Sequence, residues 1–147
     1  MDIRDILSAD MVVVDVEADN KRQLLSKLST YVADKCGLDK NSVFEAIWER
    51  ENLGSTGYGK GIAFPHARIN GLNKIVTLFA RIKSAVDFES LDAKPVDILA
   101  YMISPEKSGE DHLQALALFS RVLKNDDVCK QIREAKNTHE IFLALNK

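Results

Sequence analysis

The chain has 147 residues, 46% hydrophobic and 29% charged, the composition of one folded domain with enough length to bury a core. A formal net charge of −2 excludes general nucleic-acid binding, which needs a clear excess of Lys and Arg. Cys36 and Cys129 stand alone without CxxC spacing, no apolar run approaches a membrane span, and Met-Asp-Ile-Arg-Asp at the start lacks signal-peptide character. The expected setting is a reducing cytoplasm, with no metal site and no disulfide framework.

After a short lead-in from Ile3 to Leu7, the valine-rich Met11 to Val16 reads as a strand. Asp19 is predicted to cap a helix from Asn20 to Cys36, with Leu24, Leu25, Leu28 and Val32 along one side and Gly37 as the stop. A second helix follows Asp39, directs Val43, Phe44, Ile47 and Trp48 inward, and ends at Gly54. Ile62-Ala63-Phe64 reads as a short strand that halts at Pro65. Ile75 to Ile82 and Val96 to Ile103 are strands, the second apolar enough for a sheet centre covered on both faces. Gly109 to Leu123 is a helix with Leu113, Leu116 and Leu123 predicted inward; shorter helices follow near Asp126 to Ala135 and from Thr138 to Leu145. The alternation predicts an α/β fold: a single domain over residues 1–147, with a mixed β-sheet sandwiched by α-helices.

The stretch from Glu49 to Arg68 carries the chemistry. Gly54, Gly57, Gly59 and Gly61 are interleaved with Ser55, Thr56 and Lys60, and the segment reaches His66 directly after Pro65. Closely spaced glycines let a backbone turn tightly and present N–H groups to an anion. The P-loop pattern fails, because Lys60 is followed by Gly61 where a magnesium-binding Ser or Thr is required. The dinucleotide fingerprint fails as well, since its glycine interval is wrong and an apolar run follows. Without the histidine, a plain loop between helix and strand would explain these glycines.

His66 changes that reading. Neutral imidazole is a good nucleophile near neutral pH and its protonated form a good leaving group, so it can take and release a phosphoryl group without a metal. His112 opens the Gly109–Leu123 helix, where it either faces an anion with the first-turn N–H groups or is merely solvated. Arg50, near the end of the second helix, either complements the helix dipole or holds phosphate. Ser55, Thr56 and Gly57 are either donors to that phosphate or turn residues. His139 has no comparable surroundings.

Leu53-Gly54-Ser55-Thr56-Gly57, Gly61-Ile62-Ala63 and Pro65-His66 resemble the enzyme IIA component of the fructose/mannitol class in the bacterial phosphoenolpyruvate phosphotransferase system. A second block agrees: Pro95-Val96-Asp97, Ser104-Pro105-Glu106, then Asp111-His112-Leu113-Gln114-Ala115-Leu116 leading to Ser120-Arg121. The resemblance covers almost the whole chain. It implies that His66 is the phosphorylated histidine, through Nε2, with His112 as its active-site neighbour and Arg50 as the phosphate-stabilising arginine. It also implies a phosphohistidine donor, HPr or its nitrogen-branch paralogue, and no metal or organic cofactor.

Within that family the chain most resembles the nitrogen-regulatory IIA proteins, by its freestanding length, Arg50-Glu51-x-x-Gly54-Ser-Thr-Gly, and Ala85-Val86-Asp87-Phe88 to Asp92-x-x-Pro95-Val96-Asp97. That implies a phosphorylation state read by targets such as potassium transport systems and sensor kinases. The alternative is a sugar-specific IIA passing phosphate to a IIB domain. Ala67 departs from the glycine that many relatives carry.

Overall fold

The computed structural model describes residues 1–147. Its elements in chain order are α1 (Ile3–Ile6), β1 (Val12–Val16), α2 (Lys21–Cys36), α3 (Lys40–Leu53), β2 (Gly57–Gly59), β3 (Ile62–Ala63), β4 (His66–Ile69), β5 (Val76–Val86), β6 (Val96–Pro105), α4 (Glu110–Leu123), α5 (Asp126–Glu134) and α6 (Thr138–Leu145). The class is α/β, as expected, with one mixed sheet ordered β1-β5-β6-β3-β2 and β4 also paired to β6. β5 runs antiparallel to β6, while β1 is parallel to β5, and β3 and β4 are parallel to β6. From Val96 to Ser104 only Asp97 escapes burial, so β6 is the central strand that its apolar run implied.

Local signals set most boundaries. Gly37 closes α2 at φ 69°, a left-handed conformation that glycine reaches without a Cβ clash. Asp39 caps α3, its carboxylate accepting from the Ser42 backbone N–H at 3.0 Å. At α2 the cap is Asn20 rather than the expected Asp19. Asn20 Oδ1 accepts from the Gln23 N–H at 2.8 Å, and Gln23 reaches back to accept from the Asp19 N–H at 2.6 Å.

Four inward assignments change. Phe44 and Trp48 are only half-buried; their rings stack at 5.9 Å, and the Arg22 guanidinium lies over both on the α2–α3 seam. Leu113 is 63% exposed and Leu116 only half-buried. The inward face of α4 is instead His112, Ala115, Leu118, Phe119 and Leu123, a helical stripe that starts on the histidine.

The glycine segment is a hairpin. β2 pairs antiparallel with β3 across a turn holding Lys60 at φ 60° and Gly61 at φ 81°. Gly57 is needed for space: a Cβ there would lie 2.0 Å from Ser90 Oγ in the β5–β6 connection.

His66 was expected just past the end of a strand, but it begins a second one. β3 pairs Ile62 with Ile98, and β4 pairs His66 with Met102 at the same offset. They form one line along β6, interrupted where Pro65 has no N–H to donate; its carbonyl still accepts from the Met102 N–H at 2.9 Å. Along β4, Ala67 and Ile69 point into the core while His66 and Arg68 share the other side.

Candidate active site

His66 is oriented by its own chain. Its Nδ1 lies 2.7 Å from the Phe64 carbonyl oxygen, which can only accept, so Nδ1 carries the hydrogen. In the neutral ring Nε2 then holds a bare lone pair, with no hydrogen-bond partner in the protein. Phe64 is steadied by Tyr58, packed edge-on at 5.3 Å. Burial holds the His66 pKa below the ordinary imidazole value; Arg50 and Arg68 push the same way, against the Phe64 carbonyl and Glu51. His66 therefore stays neutral at physiological pH.

His112 comes from the first turn of α4 and packs against His66, ring centroids 5.3 Å apart and planes at 61°. It is only 5% exposed, and its Nδ1 pairs with the hydroxyl of fully buried Ser104 on β6. Only Nε2 is left to serve the cleft. Burial, with Arg68 and His66 adding repulsion, pushes its pKa down to about 4. The unfolded chain, with a pKa near 6.5, thus binds the His112 proton over a pH range in which the folded chain refuses it. The expected result is a stability loss as pH falls from about 6.5 to about 4, on the order of 3 kcal/mol from this group. Urea unfolding across that range should show a shallower acid dependence for His112→Gln than for the wild type.

Arg50, in the last turn of α3, donates through Nη1 to the Gly54 carbonyl at 2.9 Å. This serves the helix-end role, and the guanidinium charge also reaches His66, whose pKa it lowers. Arg50 and His66 both line two adjoining clefts, one of about 410 Å³ with Arg68 and His112, the other of about 290 Å³ with Tyr58, Phe64 and Leu116.

The hydroxyls of the loop are turned toward the protein. Ser55 Oγ donates to the Phe88 carbonyl and accepts from the Gly57 N–H at 3.0 Å. Thr56 donates its backbone N–H to Glu51 at 2.7 Å and its hydroxyl to the same carboxylate at 2.5 Å. Thr56 still lines the smaller cleft, but these bonds hold the loop rather than reach into the site.

Sequence reading did not single out Glu51, Ser104 or Arg68. Glu51 is 4% exposed and pairs with Lys21 Nζ at 3.1 Å, tying α2, α3 and the loop together. The alternation along β4 was the available signal for Arg68, two residues beyond His66. Neither Arg50 nor Arg68 joins any ion pair in the protein.

Fold and site together define an α/β protein that presents an oriented imidazole in a cleft with two guanidinium groups lacking carboxylate partners. Residues 5–147 match the family described as "Phosphoenolpyruvate-dependent sugar phosphotransferase system, EIIA 2", and the chain belongs to that family, as a phosphotransfer component. It is similar to the nitrogen regulatory protein of Bradyrhizobium diazoefficiens, 37% identical over 99% of this chain and 95% of that one. It is also similar to the fructose-specific EIIABC component of Bacillus subtilis, 33% identical over 100% of this chain and 23% of that larger protein. Among solved structures, nitrogen regulatory protein IIA-Ntr from Neisseria meningitidis superimposes with a TM-score of 0.92 at 29% identity, covering 97% and 98% of the two chains. Mannitol IIA from Escherichia coli shares the fold, with a TM-score of 0.79 at 19% identity over 95% and 98%.

Proposed function

We propose that residues 1–147 act as one cytoplasmic IIA domain that accepts a phosphoryl group on His66 Nε2 from the phosphohistidine of an HPr-type carrier. The observation that carries this reading is the tautomer: the Phe64 carbonyl holds Nδ1–H, leaving the Nε2 lone pair for a cleft with His112, Arg50 and Arg68. The donor N–P bond breaks and its electron pair returns to the donor imidazole, while the His66 Nε2 lone pair forms the new N–P bond. Nδ1 keeps its hydrogen, and the Phe64 carbonyl offsets the positive charge that develops on the ring. Arg50 supplies charge to the transferring oxygens, the kind of positioned donor worth about 10²–10³ in rate. His112, held neutral, sits beside the phosphoryl group without the repulsion of a second cation near His66.

The output of this carrier is regulatory. Phosphorylation adds close to two negative charges to a face carrying two unpaired arginines, enough to break or create an interface. Full-length similarity to nitrogen regulatory proteins supports targets of that kind, such as potassium transport or sensor kinase components. The second reading, a IIA passing phosphate to a sugar-system IIB domain, is supported by the similarity to the fructose-specific component.

The test is incubation with phosphoenolpyruvate, enzyme I and, in turn, HPr and its nitrogen-branch paralogue, read by intact mass. One acid-labile phosphate is expected, gained faster from the nitrogen-branch donor. Onward transfer to a fructose-type IIB at a comparable rate would favour the sugar reading. No label from either donor would overturn the carrier chemistry.

A further inference from the structure

We propose that Arg68 is a second phosphate-holding residue, joining Arg50 on the phosphoryl oxygens; this rests on the reading of His66 as the phosphorylated group. Four observations converge. Arg68 lies two residues after His66 on β4, on the same side of the strand, so its guanidinium rises from the sheet beside the imidazole. It lines the same cleft of about 410 Å³ as His66, His112 and Arg50. In the sheet it stands opposite Ser104, whose hydroxyl pairs with His112, placing it at the flank of the second histidine. Its one protein partner is neutral, the Ser108 hydroxyl 3.2 Å from Nη1, and it forms no ion pair with a carboxylate.

An arginine placed only for solubility has no reason to be tethered at a site that already contains another uncompensated arginine. Two guanidinium groups without ion-pair partners lining one cleft with His66 are accounted for by a dianion bound there. Each offers a planar fork that matches tetrahedral oxyanion geometry, and Ser108 limits the rotamers Arg68 must give up to engage. Glu49 also lines this cleft and lowers its net positive charge, so both arginines are needed to balance a phosphoryl dianion.

An exposed arginine beside an active site has one competing role, attraction of the donor protein. An equilibrium measurement separates the two. The equilibrium constant for phosphoryl exchange between two free carriers depends on their phosphorylated and unphosphorylated states, not on the encounter complex. The experiment is phosphoryl exchange between the intact protein and the HPr-type donor that labels it. The phosphorylated fraction of each is read by intact mass at equilibrium, for wild type, Arg68→Gln and Arg68→Lys.

Arg68→Gln should shift the equilibrium toward the donor by about tenfold, the loss of one partly solvated charge-assisted contact. Arg68→Lys, which keeps the charge without the fork, should fall between. An Arg68→Gln equilibrium within twofold of wild type would overturn the proposal; a slower approach to that same equilibrium would mark Arg68 as a docking cation. A wild type that takes no phosphate would instead overturn the reading of His66 itself, and this inference with it.

Discussion

Replacing His66 by alanine is expected to abolish phosphate incorporation while leaving the fold in place. The lone pair that the Phe64 carbonyl orients toward the cleft is that of His66 Nε2, and alanine removes it along with the ring. His112 is a poor substitute: it is 5% exposed, and its ring is held in the inward face of α4 by the Nδ1–Ser104 contact, so a shift toward a donor would disturb that face. The structural cost is small, because half-buried His66 makes one hydrogen bond, worth about 1 kcal/mol net. Intact mass after exposure to the phosphorylated donor should show no acid-labile adduct, against one in the wild type, with superimposable circular dichroism. A retained adduct would assign the phosphate to another residue.

The second large effect is on stability, at a residue that touches no phosphate. Glu51→Ala removes a carboxylate that receives Lys21 Nζ at 3.1 Å and both donors of Thr56. The Thr56 N–H and hydroxyl are left buried without a partner. Lys21, 12% exposed, keeps only Glu89 at 3.4 Å and the distant Phe88 carbonyl. Breaking a buried pair from one side costs about 3–5 kcal/mol; the remaining Glu89 contact places the expected loss near the lower end, about 3 kcal/mol. For a chain of this length that lowers Tm by about 6–12 °C. Glu51→Gln should cost less, since its amide oxygen still accepts from Thr56. Denaturant unfolding of both variants provides the check, and a loss below about 1 kcal/mol for Glu51→Ala would mean that the loop is held elsewhere.

The same carboxylate ties stability to the site. Thr56 follows Ser55 and Gly54, and Gly54 supplies the carbonyl on which Arg50 rests. The Gly-Ser-Thr-Gly segment thus acts as a fastening: Ser55 is bonded to the β5–β6 connection, Thr56 to α3, and Gly57 leaves room for Ser90. The expectation that Ser55 and Thr56 hold phosphate and the alternative that they are turn residues are joined by a third role, in which they hold the element that carries Arg50. Thr56 is buried and spends both its donors on Glu51, while exposed Ser55 is held by its bond to the Phe88 carbonyl.

What could be read from the sequence was what neighbouring residues settle among themselves. Gly37 needs a left-handed φ wherever its helix ends, Asp39 caps the three residues after it, and β6 is apolar enough to lie buried in any fold that contains it. The motif around His66 and Arg50 belongs with these, since it is contiguous. Other features were decided only when distant segments met. Which leucines of α4 face inward depended on the sheet beneath, and that placed His112 in the core stripe and Leu113 in solvent. β4 became a strand because β6 offered its free edge beyond Pro65, so His66 and Arg68 point the same way. Glu51 found Lys21 30 residues away, and Ser104 found His112 across the strand–helix turn. Caps, turns and periodicity are energies of a few adjacent residues, whereas the site's tautomer, its lowered pKa values and its unpaired charges come from desolvation and proximity, which exist only once the chain has closed on itself.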